Sequence, residues 1–195
     1  MGEKQVFQPL TKEDKVTVVL YRIGIVLSTL IIALMALLVM IAAPASVMVD
    51  ALVYSLYVSV GMSVFFIHLY VGKIKVFLKN LYYLSLACLA VLIFIGKGSL
   101  VGAFGAVPHS PLLLLPLSGC LGFVTAKEAF CFQLYEGYIL AMLMPLYLIL
   151  VSTGMFAGMA ASIGLVLIAA MLIFFALRKV PMPIAYDIGD KTAYQ

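Results

Sequence analysis

Residues 23–43 read IGIVLSTLIIALMALLVMIAA, a run of 21 residues without a charged side chain. A helix needs about 20 apolar residues to cross the roughly 30 Å hydrocarbon core of a bilayer. A cleaved signal peptide does not fit this run, because its apolar region has only about 7–15 residues. We therefore predict a first transmembrane helix over residues 17–43, which ends before Pro44.

The rest of the chain has the same apolar character. Hydrophobic residues make up 66% of its 195 residues and charged residues 10%, and the mean hydropathy is +1.23. A soluble domain is about half apolar and a quarter charged, and a domain of this size cannot hide two thirds of its residues from water. This composition excludes cytosolic enzymes, secreted disulfide scaffolds and disordered chains, and the apolar runs are too continuous for an outer-membrane barrel. The predicted class is all-α, a polytopic transmembrane helix bundle.

Five further apolar stretches complete a six-span bundle, which we predict to form one transmembrane domain over residues 1–195. Between the third and fourth spans, residues 96–110 hold four glycines and predict an irregular loop, in which residues 99–107 are apolar enough for a re-entrant segment. After the sixth span we predict a polar tail over residues 178–195, with alternating apolar residues that favour an extended segment packed on the surface. This segment is predicted to bring Asp187 and Asp190 back to the level of Arg22, Lys73, Lys75 and Lys79. The five spans are predicted at about residues 51–71, 78–95, 111–132, 138–152 and 156–177.

The distribution of positive charge predicts the orientation of the bundle. With these six spans, eleven of the 12 Lys and Arg residues fall on the side of the two termini, and Lys97 alone falls on the other side. Cytoplasmic loops carry such an excess, so both termini are predicted to be cytoplasmic, in the plasma (inner) membrane. The net charge of +4 has the same origin. No basic run with interleaved aromatic residues is present, so no nucleic-acid partner is predicted.

Most ionisable residues near the spans gather at the predicted cytoplasmic ends. An arginine about one turn inside a span must reach the interface or pair with an acid, and Glu128 and Glu136 are the nearest acids in depth to Arg22. We therefore expect at least one pair between Arg22 and a carboxylate. Two interpretations stay open, a belt of structural ion pairs or a polar pocket that opens to the cytoplasm. The candidate polar cluster comprises Arg22, His68, Lys127, Glu128, Cys131 and Glu136.

His68 raises the question of a cofactor. At helical spacing it shares a face with Tyr57 and Gly61, which leaves room for a flat ring. A haem held by two histidines needs a second histidine at the same depth, and the other one, His109, is predicted on the opposite side. No ligand spacing typical of a metal site is present. We predict no cofactor, no metal and no catalytic residue.

Small residues recur every four positions in three of the spans, a pattern that lets helices approach closely. The stripes indicate helix packing within the chain or in a homo-oligomer. They are Ser55–Ser59–Ser63, Ser118–Gly122–Ala126 and Gly154–Gly158–Ser162.

Three stretches together resemble a known family. They are Leu20-Tyr21-Arg22, the segment KEAFCF at residues 127–132 followed by Glu136-Gly137-Tyr138, and the segment YDIGDK at residues 186–191. The combination is similar to a family of uncharacterised bacterial and cyanobacterial integral membrane proteins, domain of unknown function 2301, over about residues 9–195. The resemblance implies a compact helical membrane protein and transfers no activity, ligand or catalytic residue.

Three classes of function remain compatible with the sequence. The first is a non-enzymatic accessory, assembly or partner-binding protein, favoured by the lack of intramembrane charge, of room for a soluble domain and of a catalytic motif. The second is a small transporter or channel. The third is a membrane enzyme or cofactor-binding protein with a cytoplasm-facing polar site. The predicted partners are the lipid bilayer and either a larger membrane complex or further copies of the chain.

Overall fold

The computed structural model describes residues 11–41 and 46–188, and over these ranges it is helical, with no strand. Six of its helical segments are long and apolar enough to cross a membrane, which confirms the predicted all-α bundle with six spans. The spans are α1 (Lys12–Ile41), α2 (Ser46–Phe66), α3 (Gly72–Ile95), a 3₁₀ turn (Ser110–Leu114) continued by α5 (Leu115–Phe132), α6 (Tyr135–Ser152) and α7 (Met159–Lys179). Two short helices, α4 (Leu100–Ala106) and α8 (Ala185–Ile188), complete the described fold.

Helix α1 begins at Lys12, five residues before the predicted start, because a reciprocal cap stabilises its first turn. The Thr11 hydroxyl accepts a hydrogen bond from the Asp14 N–H at 3.2 Å. The Asp14 carboxylate accepts one from the Thr11 N–H at 2.9 Å. This capping box satisfies backbone donors that have no partner within the helix. The charged segment before the apolar run is therefore the first turn of the helix.

Helix α2 lies five residues earlier than predicted, at Ser46–Phe66 instead of residues 51–71. Its second turn includes Asp50, which is buried because its carboxylate accepts hydrogen bonds from the N–H groups of Leu100 and Val101, at 3.0 and 3.2 Å. The earlier end has a consequence for His68, which lies in the loop after the helix. The predicted helix face shared by Tyr57, Gly61 and His68 is therefore wrong.

The starts of other helices also differ from the prediction, whereas α3, α5 and α6 end at residues 95, 132 and 152 as predicted. Helix α3 begins at Gly72 instead of residue 78, because the lysines that seemed to mark a loop form its first turns. Helix α7 begins at Met159, after a turn in which Gly154 and Gly158 have φ of +75° and +54°. Residues with a Cβ atom rarely adopt this backbone conformation, whereas glycine adopts it readily. These two glycines consequently form the connection between α6 and α7 and belong to no helical stripe.

The loop between the third and fourth spans contains the short helix α4, with Leu100 and Ala103 buried against the bundle. The Ser99 hydroxyl caps it by accepting a hydrogen bond from the Gly102 N–H at 3.2 Å. Together with the Asp50 carboxylate, this cap satisfies three amide groups at the start of the helix. Whether the segment enters the bilayer stays a prediction.

The core forms where α1 packs against α2 and α7, and where α5 packs against α6 and α3. Small residues bring these helices close. A side chain at Gly24 of α1 would overlap with Ser59 and Ser63 of α2. One at Gly122 of α5 would lie 3.2 Å from the backbone of Ala141 in α6. Members of two predicted stripes therefore take part in helix contacts within the chain.

The start of α1, the end of α7, the α2–α3 loop and the α5–α6 connection lie at one end of the bundle, which we call the charged end. The even number of spans requires this arrangement, and contacts between Arg22 and residues 180–183 show it directly. The charge distribution predicts that this end faces the cytoplasm.

Reporter fusions test this orientation. A reporter that is active only in the cytoplasm is expected to give a signal when fused after Gln195. Fusion after Pro44 or Gly154, on the opposite side of the predicted bundle, is expected to give none. A signal at Gly154 would contradict the predicted topology.

Candidate functional site

Five charged side chains from three elements and the tail form a continuous chain of ion pairs at the charged end. We call Arg22, Lys127, Glu128, Lys179 and Asp187 the buried charge network. Arg22 Nε lies 2.7 Å from Asp187 Oδ2, and Lys127 Nζ lies 2.6 Å from Glu128 Oε1. Lys179 Nζ links the two halves, because it pairs with both Asp187 and Glu128.

Glu128 is the central acid of the network and has no exposed surface. One carboxylate oxygen accepts hydrogen bonds from the Tyr21 hydroxyl and from Lys127, both at 2.6 Å. Its other oxygen pairs with Lys179. Helices α1, α5 and α7 are thus joined through one carboxylate, and charge-assisted hydrogen bonds of this kind are among the strongest in proteins.

Arg22 connects α1 to the segment that follows α7. Its guanidinium donates to the carbonyl oxygens of Val180 and Met182, at 2.9 and 2.6 Å, and to that of Pro183 at 3.2 Å. Carbonyl groups at the end of a helix lack partners within the helix, and a positive charge is favourable there. Arg22 therefore caps α7 and fixes the turn that brings Asp187 back to the bundle.

The network holds three positive and two negative side chains and is almost fully removed from solvent. The side chains of Lys179, Glu128 and Asp187 have no exposed surface, and those of Arg22 and Lys127 expose 10% and 9%. Aromatic rings contact two of the cations, with Lys179 Nζ 3.7 Å from the centroid of Phe132 and Lys127 Nζ 5.3 Å from that of Tyr21. Ring faces attract cations and so contribute to the balance of the excess positive charge.

The predicted pairing of Arg22 with Glu128 or Glu136 is wrong, since its ion-pair partner is Asp187. The prediction took acids by depth along the spans, whereas the turn after α7 brings a tail residue closer. Glu136 pairs instead with Arg178, whose Nη1 donates to both carboxylate oxygens at 2.8 and 2.9 Å. Among the other predicted cluster residues, Lys127 and Glu128 meet, while Cys131 is an exposed free thiol.

The described part of the tail, up to residue 188, packs against the bundle, but not as the predicted extended segment. Residues 185–188 form the helical turn α8, in which Asp187 and Ile188 are buried. The turn allows Asp187 to reach Arg22 and Lys179 together. The expected approach of the second tail acid, Asp190, lies outside the described residues.

His68 lies beside the network, in the α2–α3 loop. Its Nε2 is 3.1 Å from the hydroxyl oxygen of Thr17. Burial lowers the pKa of His68 below its usual value of about 6.5, and the positive charges of Lys127 and Lys75 lower it further. Asp14 and Asp187 oppose this shift without reversing it. The imidazole is therefore neutral at pH 7.

This shift predicts a pH-dependent stability. The folded protein binds the His68 proton less tightly than the unfolded chain, so protonation below about pH 6.5 favours unfolding. We expect the melting temperature in detergent to fall between pH 7.5 and pH 5, and His68→Gln to reduce that fall. The comparison of wild type and variant at both pH values removes contributions from other groups. An equal or larger fall in the variant would contradict the prediction.

Four buried polar residues of the structure were not included in the predicted polar cluster. Lys179 appeared to be a charge that ends the sixth span, yet its side chain is completely buried. Tyr21 stood out only within a resembling stretch, and Asp50 gave no signal at all. Asp187 was predicted to lie at the level of Arg22 but was not included in the cluster, and Ile184 and Ile188 at helical spacing are the signal for a helical turn with a buried face.

The described residues at the charged end form no set of ligands for a metal ion. Within residues 11–41 and 46–188, no group of three or more His, Cys, Asp or Glu side chains could hold a metal ion. The carboxylates of Glu128 and Asp187 are engaged by lysine and arginine. The network thus joins helices α1, α5 and α7 to the tail.

A cavity of about 280 Å³ lies in the other half of the bundle. Residues from all spans except α3 contribute to its walls, which are apolar apart from the hydroxyl groups of Ser118 and Tyr147. Each hydroxyl proton has a backbone acceptor, the Leu115 carbonyl oxygen at 2.9 Å and the Ala161 carbonyl oxygen at 3.1 Å. Other walls include Met35, Val60, Met144 and Ile168. The cavity, which we call the central cavity, has the size and lining of a site for an apolar molecule.

Comparison with known proteins identifies a family but no characterised relative. No curated protein and no solved structure matches the chain. A family described as uncharacterized integral membrane protein (DUF2301) matches residues 62–195, so the match includes α3 to α8 and both acidic residues of the network. The match begins after α1, and the resembling stretch at residues 20–22 lies outside it. Because the match covers more than half of the chain, the protein belongs to the uncharacterised integral membrane protein family DUF2301.

Proposed function

We propose that this integral membrane protein is a non-enzymatic binding protein whose partner is a small lipophilic molecule held in the central cavity. The single observation that supports this function is the cavity itself, which lies between helices of a bundle and has apolar walls. Ligand sites in helical bundles commonly have this position and composition. The cavity is partly open at the surface of the bundle and is not a sealed void in the core.

The chemistry of the walls favours binding over transport of ions or polar solutes. The protons of Ser118 and Tyr147 are already donated to backbone carbonyl groups. An apolar molecule needs no further polar partner, whereas an ion would lose its hydration without replacement. At the charged end, the acids that a catalytic site would use are paired with lysine and arginine. The transporter and enzyme alternatives therefore have less support.

Filling the cavity tests the proposal. Ser118→Leu places a larger apolar side chain into the cavity, and Ser55→Leu is the matched control. Ser55 is exposed on α2, and its hydroxyl donates to the carbonyl of Ala51 at 2.8 Å, so it has a comparable backbone hydrogen bond. We expect native mass spectrometry of protein purified in mild detergent to show a bound lipophile in the wild type and in Ser55→Leu. Ser118→Leu is expected to lose it.

A defined probe provides a second arm of the same test. With labelled methionine methyl groups, added dodecane is expected to give intermolecular contacts to Met144, which lines the cavity. Met142 lies two residues away and is 76% exposed, so it reports nonspecific contact with detergent or alkane. Equal contacts at both methyl groups, together with no copurified lipophile, would refute the proposal.

The proposal also includes the location of the protein in the cell and its assembly with other chains. The charge distribution favours the plasma (inner) membrane with both termini in the cytoplasm. A larger membrane complex or a homo-oligomer is compatible with a binding role. Affinity purification in mild detergent, followed by mass spectrometry and size analysis, tests for both.

A further inference from the structure

We propose that a groove between α2 and α3 binds an anionic phospholipid, with the phosphate near Lys75 and Lys79 and an acyl chain along the groove. This site is separate from the central cavity and does not depend on the function proposed for it. The groove is apolar and open, and its lining comprises Val58, Gly61, Met62, Phe65, Phe66 and Tyr82.

The position of the groove suits one lipid chain. It follows α2 from Val58 to Phe66, eight residues that rise about 12 Å along the helix. The groove runs from the charged end towards the middle of the span. A lipid whose headgroup lies at the charged end would therefore have its acyl chain along the groove. Gly61 and Tyr82 form the floor, and a side chain at Gly61 would overlap with the Tyr82 ring. Because residue 61 has no side chain, the Tyr82 ring packs against α2, and its hydroxyl donates a hydrogen bond to the Tyr57 carbonyl oxygen at 3.0 Å.

Positive charge lies at the end of the groove. Lys79 Nζ lies 5.6 Å from the centroid of Phe65, a ring that lines the groove. Phe65 is held edge to face against Tyr82, with 5.6 Å between ring centroids. The cation is thus placed directly over the apolar surface that would contact the chain. Lys75 precedes Lys79 by one helical turn on the same face of α3.

These two lysines lack a counter-charge in the part of the chain that the structure describes. The three cations of the buried charge network each pair with an acid, but no described ion pair includes Lys75 or Lys79. Like charges four residues apart on a helix repel each other. An anion supplied from outside would remove this repulsion, and the negative headgroups of the membrane are the nearest source.

The combination of groove and cations selects a phospholipid with net negative charge. Free phosphate would meet the lysines but gain nothing from the apolar groove. A zwitterionic phospholipid would fill the groove, but its own ammonium group offsets the phosphate. Phosphatidylglycerol supplies both the chain and the uncompensated charge.

The test uses the purified full-length protein in detergent and native mass spectrometry. Phosphatidylglycerol is titrated against phosphatidylcholine with identical chains. A lysine close to an anionic lipid headgroup contributes enough to change lipid affinity by about fivefold. We therefore expect Lys79→Gln and Lys75→Gln each to weaken phosphatidylglycerol binding about fivefold. Lys73→Gln is the charge-matched control on the same helix, and it is expected to bind like the wild type.

A second pair of variants tests the groove. Val58 is 65% exposed at the groove wall, and Val76 is 58% exposed outside it. Val58→Trp is expected to reduce phosphatidylglycerol binding, while Val76→Trp is not, and both substitutions avoid the core. Inorganic phosphate at the same concentration is expected to leave the lipid bound. Equal affinity for the two lipids, equal effects of Lys73→Gln and Lys79→Gln, or displacement by inorganic phosphate would overturn the proposal.

Discussion

Glu128→Leu is expected to lower the free energy of unfolding by about 3–5 kcal/mol, the usual cost of removing one partner from a buried ion pair. The substitution leaves Lys127 and Lys179 in an enclosed site without their shared acid. It also removes the acceptor of the Tyr21 hydroxyl. The contribution of the carboxylate is large because neither lysine can recover hydration without local unfolding. Equilibrium unfolding in mixed micelles would measure the change.

Glu136→Leu is the matched control, because it removes an equally formed ion pair at a wetter position. Its partner Arg178 has 43% of its side chain exposed and can return to water. The expected loss is at most about 1 kcal/mol. Glu128→Gln should fall between the two, since an amide oxygen still accepts a hydrogen bond but carries no charge. Equal losses for Glu128→Leu and Glu136→Leu would show that the network is effectively solvated.

Measurements of lipophile binding and stability in Glu128→Gln distinguish a structural role of the buried charge network from a direct role in binding. If the network is structural, lipophile binding and stability are expected to fall together in Glu128→Gln. Loss of binding in a variant with unchanged stability would instead indicate a direct role of the carboxylate. The 280 Å³ cavity is lined by other residues, so we expect the first outcome.

The spans were predictable because bilayer thickness imposes a length on each apolar run. The run of residues 23–43 required one helix, and the same rule gave the number of spans. The helix boundaries were harder to predict, since hydropathy contains no information about capping hydrogen bonds. Thr11 and Asp14 extend α1 through a reciprocal hydrogen bond, and the buried Asp50 belongs to a turn of α2 that hydropathy assigned to a loop.

The candidate site was predictable in its location but not in its pairing. Depth along the spans placed Glu128 at the level of Arg22, and both belong to the buried charge network. The tail was predicted to return Asp187 to that level, but depth alone cannot reveal that a helical turn pairs it directly with Arg22. It also cannot show that Lys179 points into the bundle, because a lysine at a span end ordinarily reaches for the interface. The central cavity depends on how six helices pack together, which no local pattern encodes.

Arg22→Ala is the second substitution with a large expected effect, and it tests how the tail is held. The guanidinium pairs with Asp187 and donates to three carbonyl groups after α7. Its removal leaves a buried carboxylate with Lys179 alone and leaves the three carbonyl groups without this donor. We expect a loss of about 3–5 kcal/mol in the free energy of unfolding, by the same reasoning as for Glu128. Arg22→Lys should recover only part of it, because an ammonium group cannot reproduce the planar set of donors.

A double-mutant cycle with Asp187→Ala isolates the pair from the carbonyl contacts. If Arg22 acts mainly through Asp187, the double variant loses much less than the sum of the single losses. If it acts mainly by capping α7, the two losses add. Limited proteolysis gives an independent readout, because release of α8 should expose the chain beyond Pro183 in Arg22→Ala while the spans stay protected. Equal protection of the tail in wild type and Arg22→Ala would show that Ile188 and the other apolar contacts hold the segment without the arginine.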